Sequence, residues 1–330
     1  MNPVELLQSL INIPSITGNE VRISLFLNEL LKKAGLHILT QTVKGDRNNL
    51  FADTGSPPKV VLCTHMDTVP PFIPASEDER TIYGRGACDA KGSLVAMIAA
   101  AESLIKEGED RFGLLFVVGE EGDSIGAKTA NEMNIRSDFI IVGEPTNNKL
   151  ASSHKGIVWM RLLSKGKTAH SAYPHLGDSA MDKLLDALEL IRKIDFEKNP
   201  DLGESYINIG KIEGGLSANM VTGLASAEIV VRCVEPAHDV IQKIKAATKE
   251  LVELIILSHS DPQKMYTVPN IGQTVVPFGT DIPHLKNFGK PLLLGPGEGI
   301  DAHTENEKVK KAQLLDAADI YKKLVQQLLG

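Results

Sequence analysis

The sequence lacks the patterns that mark secreted, membrane-spanning and disulfide-rich proteins. Its three cysteines, Cys63, Cys88 and Cys233, are widely spaced and form no C-x-x-C pair, which favours reduced thiols in a cytoplasmic protein. No apolar run approaches the roughly 20 residues that a membrane-spanning helix needs. The first residues lack the cationic start and the long apolar stretch of a secretory signal. We therefore expect a cytoplasmic protein with no membrane partner.

Clustered positive charge is also missing. The formal net charge is −7 and the isoelectric point is near 5.8, whereas a surface that binds nucleic acid needs grouped Lys and Arg. The longest basic stretch, residues 307–311, reads Glu-Lys-Val-Lys-Lys and is predicted to be solvated. A G-x-G-x-x-G turn after the first strand is absent too, which argues against a dinucleotide-binding enzyme. Nucleic acid is not an expected partner.

What the sequence does contain is a series of apolar runs that each end in a residue able to bind a metal. The runs are VVLCTHMD with His65, LLFVVGEE with Glu120 and Glu121, FIIVGEP with Glu144, and PLLLGPGEGIDAH with His303. Such short runs are typical of strands buried on both faces of a parallel sheet. Because ligands bind at the carboxyl ends of parallel strands, these side chains are expected to converge at one sheet edge.

Each candidate also has an ordinary structural interpretation. His65 could bond a backbone group at its strand end, Asp89 after GRGAC could cap a helix, and the Glu120–Glu121 pair could be an exposed acidic turn. Their joint occurrence at one edge favours a metal site. Two His and three or four carboxylates suit two divalent ions such as Zn, Co or Mn. Paired ions activate a bound water and polarise a carbonyl, which predicts hydrolysis with one Glu left to shuttle protons.

The middle of the chain has a different character and predicts a second domain. From residue 156 the sequence alternates like a sheet with one wet face, and the order of predicted elements is β-α-β-β-α-β. These elements include helices at 178–193 and 237–256 and a short strand near 264–268. We predict an α/β fold in which a catalytic domain with a mostly parallel central sheet, residues 1–155 and 271–330, carries an inserted ferredoxin-like domain, residues 156–270.

Five ordered segments resemble signature segments of the dinuclear zinc aminoacylase and carboxypeptidase family. They are THMDTVP, YGRGACDAKG, GEEGDSIGA, VGEPT and GPGEGIDAHTENE, and they run over nearly the whole chain. The resemblance implies a metallopeptidase-type catalytic domain in which Asp89 bridges two ions. His65 and Glu144 would complete the first ion, and Glu121 and His303 the second.

The same resemblance assigns further roles. Glu120 matches the general acid/base, and Asp67 fits a partner that orients His65, as its spacing also allows. The peptide bond after Asp89 is expected to be cis. In the inserted domain, GKTAHSAYPHLGDSA resembles the lid motif, in which His170 helps to hold the scissile carbonyl, in dimeric members at the partner subunit's site.

Other residues match substrate contacts of the family. Asn219 and Arg232 match positions that touch the oxyanion or the carboxylate of the substrate, and an Arg fork suits a carboxylate. Gly297 in GPG is expected to bring backbone close to the substrate. The lid segment departs from the family pattern at residues 177–179, which read Gly-Asp-Ser. A homodimer formed through the lid domain is the implied assembly.

The predicted reaction is hydrolysis of the amide bond of an N-acyl amino acid. The compact chain and the segment GEPTNNKLASSHKG favour a deacetylase of the acetylornithine or acetyl-lysine type in amino-acid biosynthesis. The stretch AYPHLGDSA also resembles the succinyl-diaminopimelate desuccinylase, and carboxypeptidase or dipeptidase action on short peptides uses the same chemistry. A catalytically silent binding or assembly protein on this scaffold is the alternative from another class.

Overall fold

The chain folds into two units. The computed structural model describes residues 2–330. The first unit comprises Met1–Ser152, Met265–Thr274 and Thr280–Gly330, and the second comprises Ser153–Lys264 and Val275–Gly279. We keep the domain limits 1–155 with 271–330, and 156–270, as a proposal. Residues 275–279, which those limits assign to the first domain, pack with the second unit.

Within residues 2–330 the helices are α1 (Pro3–Ile11), α2 (Val21–Lys33), α3 (Lys91–Lys106), α4 (Ile125–Ala130), α5 (Ala180–Arg192), α6 (Ala237–Thr248) and α7 (Lys311–Leu329). The strands are β1 (His37–Lys44), β2 (Arg47–Asp53), β3 (Val60–His65), β4 (Ser76–Glu77), β5 (Thr81–Tyr83), β6 (Phe112–Val117), β7 (Phe139–Val142), β8 (Leu150–His154), β9 (Gly156–Lys165), β10 (Lys198–Asn199), β11 (Gly203–Glu204), β12 (Tyr206–Gly214), β13 (Leu224–Cys233), β14 (Glu253–Ser260), β15 (Gln263–Lys264), β16 (Gln273–Val276), β17 (Lys290–Leu293) and β18 (Lys308–Lys310).

A six-stranded sheet forms the centre of the first unit, in the order β1-β2-β6-β3-β7-β17. Strands β6, β3, β7 and β17 run parallel, and at one edge β2 pairs antiparallel with β6 and β1 pairs antiparallel with β2. Every residue of β3 and β6 is buried, as expected for strands covered on both faces. The predicted α/β fold with a mostly parallel central sheet is confirmed. The candidate residues lie at or after the carboxyl ends of these parallel strands.

Helix α3 packs deep in the core of the first unit. Its sequence KGSLVAMIAAAESLIK is buried over eleven of its residues, because small and aliphatic side chains occur around its whole circumference. At its start the buried Lys91 donates from Nζ to the carbonyl oxygens of Leu10, at 3.0 Å, and Ile13, at 3.1 Å. These bonds connect the start of α3 to carbonyl groups at and just after the end of α1, where the regular helical bonding stops.

The second unit has the element order β9-α5-β12-β13-α6-β14, with the short β10–β11 hairpin after α5. Its sheet has the order β12-β13-β9-β14, and β13 alternates between buried and partly buried residues. The predicted helix at 237–256 is too long, since α6 ends at Thr248 and Lys249 takes a φ of 45°. The fourth strand is therefore Glu253–Ser260, whose apolar start was misread as helix, rather than residues 264–268.

The stretch 307–311 is only partly solvated, which corrects the sequence prediction. Val309 is 1% exposed and pairs with Ile82 across β18 and β5. Glu307 is also 1% exposed. The alternation of charged and apolar residues here belongs to a short strand with one buried face. Among the described helices, none is long and apolar enough to cross a membrane.

Candidate metal centre and active site

His65 is the last residue of β3, and its imidazole is held from both sides. Nδ1 lies 2.9 Å from the carbonyl oxygen of Asp67, and Nε2 lies 3.1 Å from Oδ1 of Asp89. Burial opposes the charged form, but the nearby carboxylates of Asp67 and Asp89 raise the pKa of His65 well above its ordinary value. The ring is thereby fixed with Nε2 facing the candidate metal ligands.

Asp89 lies between two imidazoles. One carboxylate oxygen, Oδ1, is 3.1 Å from His65 Nε2, and the other, Oδ2, is 3.2 Å from His303 Nε2. Burial pushes the pKa of Asp89 upward, but these two imidazoles lower it below its ordinary value. The peptide bond after Asp89 is cis, as predicted. A carboxylate with each oxygen directed to a different His has the geometry of a bridging ligand.

His303 completes the other side of Asp89. Its Nε2 lies 3.0 Å from Oε1 and 2.9 Å from Oε2 of Glu121. Hydrogen bonds to Asp89 and Glu121 raise the pKa of His303 to about 10. His303 has a φ of 64°, which is uncommon for a residue other than glycine and costs on the order of 1–2 kcal/mol. The surrounding loop must hold this conformation.

Glu120 and Glu144 add carboxylates that other acidic groups destabilise. Glu144 follows β7, and its Oε1 lies 3.9 Å from His65 Nε2. Burial raises the pKa of both glutamates well above the ordinary value, and His65 lowers it only in part. Asp281 raises both values further. The neighbouring residues Glu120 and Glu121 therefore have different surroundings, because only the Glu121 carboxylate pairs with His303.

Asp67 organises the backbone that carries the two glutamates. Its Oδ1 accepts hydrogen bonds from the N–H groups of Gly119, at 2.8 Å, and Glu120, at 3.1 Å. Its Oδ2 accepts from Glu121 N at 3.2 Å and from the hydroxyl of Thr17 at 2.8 Å. Burial opposes ionisation, but His65 and these donors lower the pKa of Asp67. Its carboxylate lies 3.6 Å from His65 Nδ1, so its carbonyl group makes the nearer contact to the ring.

Asp281 is a further acidic residue of this region, and the sequence analysis missed it. It is 2% exposed, and Oδ1 of its carboxylate has no hydrogen-bond partner among the described residues. Burial raises the pKa of Asp281 to about 6, although a hydrogen bond with Ser124 and the charge of His65 oppose this shift. The apolar stretch before Asp281, residues 275–278, is short and interrupted by Pro277, so the strand-end pattern did not reveal it.

The residues present fit a pair of divalent ions. Ligand atoms of a tetrahedral ion with bonds of about 2.1 Å lie roughly 3.4 Å apart, and the separations here run from 2.9 Å for His303–Glu121 to 3.9 Å for His65–Glu144. One ligand atom from each of His65, Asp89 and Glu121 lies within 4.8 Å of the others. Burial and neighbouring carboxylates raise the pKa of Glu120, Glu121 and Glu144, and divalent ions bound here would favour the charged carboxylates.

Comparison with known proteins identifies the family of this chain. The pattern of peptidase family M20/M25/M40 matches residues 61–327. The chain belongs to this family. A peptidase M20 domain-containing protein of Schizosaccharomyces pombe is 41% identical over 98% of this chain and 84% of its own length. A protein of Emericella nidulans named as a probable carboxypeptidase is 36% identical over 99% of this chain and 89% of its own.

A solved tripeptidase structure from Staphylococcus aureus has the same fold. It superposes with a TM-score of 0.81 at 24% identity and covers 99% of this chain and 98% of its own. The predicted resemblance to dinuclear aminoacylases and carboxypeptidases is confirmed by the M20 membership. The protein is a metal-dependent enzyme of the metallopeptidase and amidohydrolase type, as the sequence predicted.

In this M20 enzyme, Gly297 allows a close approach of backbone to Cys88. Its φ is 87°, and a Cβ at this position would overlap Cβ of Cys88. The Gly297 carbonyl also accepts a hydrogen bond of 2.7 Å from Asn147 N. The close approach that the structure shows is thus to the residue beside Asp89. Contact of Gly297 with substrate stays a prediction.

The predicted lid residues lie in the second unit. His170 and Asn219 are on neighbouring exposed segments, where Ser171 N donates to the Asn219 carbonyl at 3.0 Å and His170 forms a bridge with Met220. Oδ1 of Asn219 accepts from the Ser217 hydroxyl at 2.6 Å. The structure therefore brings His170 and Asn219 together.

Arg232 lies elsewhere in that unit, on β13 of the four-stranded sheet, where its backbone pairs with Ile157 and Tyr206. The substrate contacts assigned to His170, Asn219 and Arg232 stay predictions.

Proposed function

We propose that this M20 enzyme hydrolyses the amide bond of an N-acyl amino acid of the acetylornithine or acetyl-lysine type, in amino-acid biosynthesis. The observation that supports the chemistry most strongly is the position of Asp89, whose two oxygens lie 3.1 Å and 3.2 Å from two different imidazoles. The choice of substrate class rests on the segment GEPTNNKLASSHKG and on the family resemblance.

Two divalent ions, zinc by preference with cobalt or manganese as substitutes, are the proposed cofactors. Asp89 would be shared, His65 and Glu144 would hold one ion, and Glu121 and His303 the other. When bound, such ions lower the pKa of water and polarise the substrate carbonyl. Asp67 keeps the backbone of residues 119–121 in place through its accepted hydrogen bonds.

Glu120 is the proposed general acid/base. Its carboxylate takes a proton from the attacking water as the new C–O bond forms, and it gives this proton to the amine nitrogen as the C–N bond breaks. The products are a carboxylate and a free amino acid. Burial raises the pKa of Glu120 well above its ordinary value. This favours the protonated side chain, which must donate its proton to the leaving nitrogen.

Cleavage of short peptides as a carboxypeptidase or dipeptidase is the second candidate. The Emericella nidulans relative named as a probable carboxypeptidase, at 36% identity, favours it. A succinyl-diaminopimelate desuccinylase reaction is the third member of the same chemical class. All three substrates present an amide next to an amino acid with a free carboxylate, so the metal centre serves each of them equally.

A panel assay separates these candidates. Metal-free protein is loaded with zinc or cobalt and incubated with acetylornithine, acetyl-lysine, succinyl-diaminopimelate and simple dipeptides. We expect the highest kcat/KM on one of the two acetylated amino acids. Glu120→Ala should remove turnover, and the control Glu79→Ala, which alters an exposed glutamate, should keep it. Absence of turnover on the whole panel by loaded wild-type protein would support the catalytically silent binding protein instead.

We further propose a homodimer formed through the second unit. Strand β12 is an edge strand of its sheet, and Tyr206 and Ile212 on it are 63% and 47% exposed. An exposed edge with apolar side chains is suited to pairing with a second chain. Mixing His170→Ala with Glu120→Ala protein should restore part of the activity if His170 serves the partner subunit's site. The three free cysteines support a cytoplasmic location.

A further inference from the structure

Glu307 binds the loop that carries Asp89. Its side chain is fully buried, and Oε1 accepts hydrogen bonds from three backbone groups of that loop. The donors are the N–H groups of Gly86 at 2.8 Å, Asp89 at 3.2 Å and Cys88 at 3.3 Å. A single carboxylate oxygen therefore fixes the backbone position of the proposed bridging ligand.

Arg85 connects this carboxylate to the loop that carries His303. Its Nη1 donates to Oε2 of Glu307 at 2.6 Å and to the carbonyl oxygen of Thr304 at 3.1 Å. Its Nε donates to the Pro71 carbonyl at 3.3 Å, and the residue is 3% exposed. Thr304 directly follows His303. The Arg85 guanidinium group therefore bonds the His303 loop directly and the Asp89 loop through Glu307.

A pair buried this deeply is not explained by stability alone. Removing two charges from water costs several kcal/mol per ion, and apolar residues of similar size often stabilise a fold as well or better. Most partners of this pair are main-chain groups of the two loops, and the Pro71 carbonyl and the Cys88 thiol complete the set. His303 also needs support, because its φ of 64° is one that most residues avoid.

We propose that Arg85 and Glu307 act as positioning residues for the two-metal centre, forming a clamp that fixes the Asp89 loop and the His303 loop relative to one another. The clamp rests on the proposed function, since it matters for catalysis only if these loops hold the ions. Through it the two Asp89 oxygens face His65 and His303 at the same time. Neither residue touches the proposed reacting atoms.

Metal affinity tests the clamp directly. Zinc is titrated calorimetrically into metal-free full-length protein, and the unfolding of each metal-free variant is followed in parallel. Glu307→Gln keeps an oxygen for the three N–H groups but places an amide against Arg85. Arg85→Lys keeps the charge but cannot reach the carboxylate and both carbonyl groups together. We expect each variant to bind at least one of the two zinc ions about 10–100-fold more weakly than wild type does.

Glu235 provides a matched control in the second unit. Its side chain is 1% exposed, its Oε2 lies 2.5 Å from Lys243 Nζ, and its Oε1 accepts from Glu197 N at 3.1 Å. Glu235→Gln therefore removes the same kind of buried, paired charge away from the proposed ligands. It should lower stability and leave zinc affinity within about twofold of wild type. The double variant of Arg85 and Glu307 should bind zinc no more weakly than the worse single variant.

Zinc affinity within about twofold of wild type in both single variants would overturn the clamp, as would an equal loss in Glu235→Gln. If Glu307→Gln does not fold without metal, Arg85→Lys decides by the same criterion. If wild-type protein binds two zinc ions and both single variants bind them with unchanged affinity, only the clamp is refuted. Wild-type protein that binds no divalent ion refutes the proposed function, and the clamp with it.

Discussion

Replacing Asp281 by Asn should make the metal-free enzyme more stable relative to wild type as the pH rises. Burial raises the pKa of Asp281 from 3.8 to about 6, so the folded state favours the protonated carboxyl. Its stabilising contribution is fully present below pH 3.8 and is lost as the pH rises through about 6. The shift corresponds to about 3 kcal/mol. About 2 kcal/mol of this is lost between pH 4.5 and pH 7.5.

Asparagine has nearly the shape of the protonated acid and does not ionise. The free energy of unfolding is measured by urea denaturation of the metal-free wild-type and Asp281→Asn proteins at pH 4.5, 6.0 and 7.5. Any packing effect of the amide is the same at each pH and cancels in the comparison. We expect the difference between the variant and wild type to move by about 2 kcal/mol in favour of the variant from pH 4.5 to pH 7.5.

Asp67 supplies the contrasting control. Its pKa is lowered, because His65 and the donors to its carboxylate outweigh burial. Its stabilising contribution is therefore present above the ordinary pKa and is lost only as the pH falls below it. Asp67→Asn should destabilise the protein at both pH 6.0 and pH 7.5. Parallel stability profiles of wild type and Asp281→Asn from pH 4.5 to 7.5 would refute the reasoning about Asp281.

Three further outcomes are expected. Glu120→Ala should lower kcat by about 10²–10⁴-fold with metal content unchanged, whereas Asp89→Ala should lose bound metal, and equal metal content in the two variants by elemental analysis would contradict the roles. Gly297→Ala should lower the free energy of unfolding by about 1–2 kcal/mol for its positive φ and by about 1–3 kcal/mol more for overlap with Cys88. The control Gly35→Ala has a φ of 85° and nothing within 4 Å, so it should show only the first loss in denaturant unfolding. A chelator should abolish hydrolysis and zinc, cobalt or manganese should restore it, while activity that survives exhaustive chelation would refute a metal-dependent reaction.

The sequence predicted the parallel sheet because its strands leave a strong local signal. β3, β6, β7 and β17 are short apolar runs that end in turn-forming residues, and the apolar residues of each run indicate a buried strand. The candidate residues follow these ends, so the topology alone brings them toward one edge. Element boundaries were less predictable where an apolar stretch follows a helix, as at residues 249–256, since periodicity does not separate a short buried strand from a helix turn.

The residues that support the site were not predictable in the same way. Asp281 follows only a short apolar stretch that Pro277 interrupts, and Glu307 lies among lysines that suggested a solvated stretch. Its burial depends on Arg85, which is 222 positions away in the sequence. Partners at such separations leave no local periodicity, so their pairing is visible only once the chain is folded.

The positions of the proposed ligands along the chain have a consequence for how the enzyme acquires its ions during synthesis. The set of His65, Asp89 and Glu144 is complete once the first 144 residues have been made, whereas the second ion also waits for His303. The entire second unit is translated in between. A ribosome-bound chain can thus assemble at most one complete ligand set until the second unit has been made, so the proposed site for the second ion would form only after that unit.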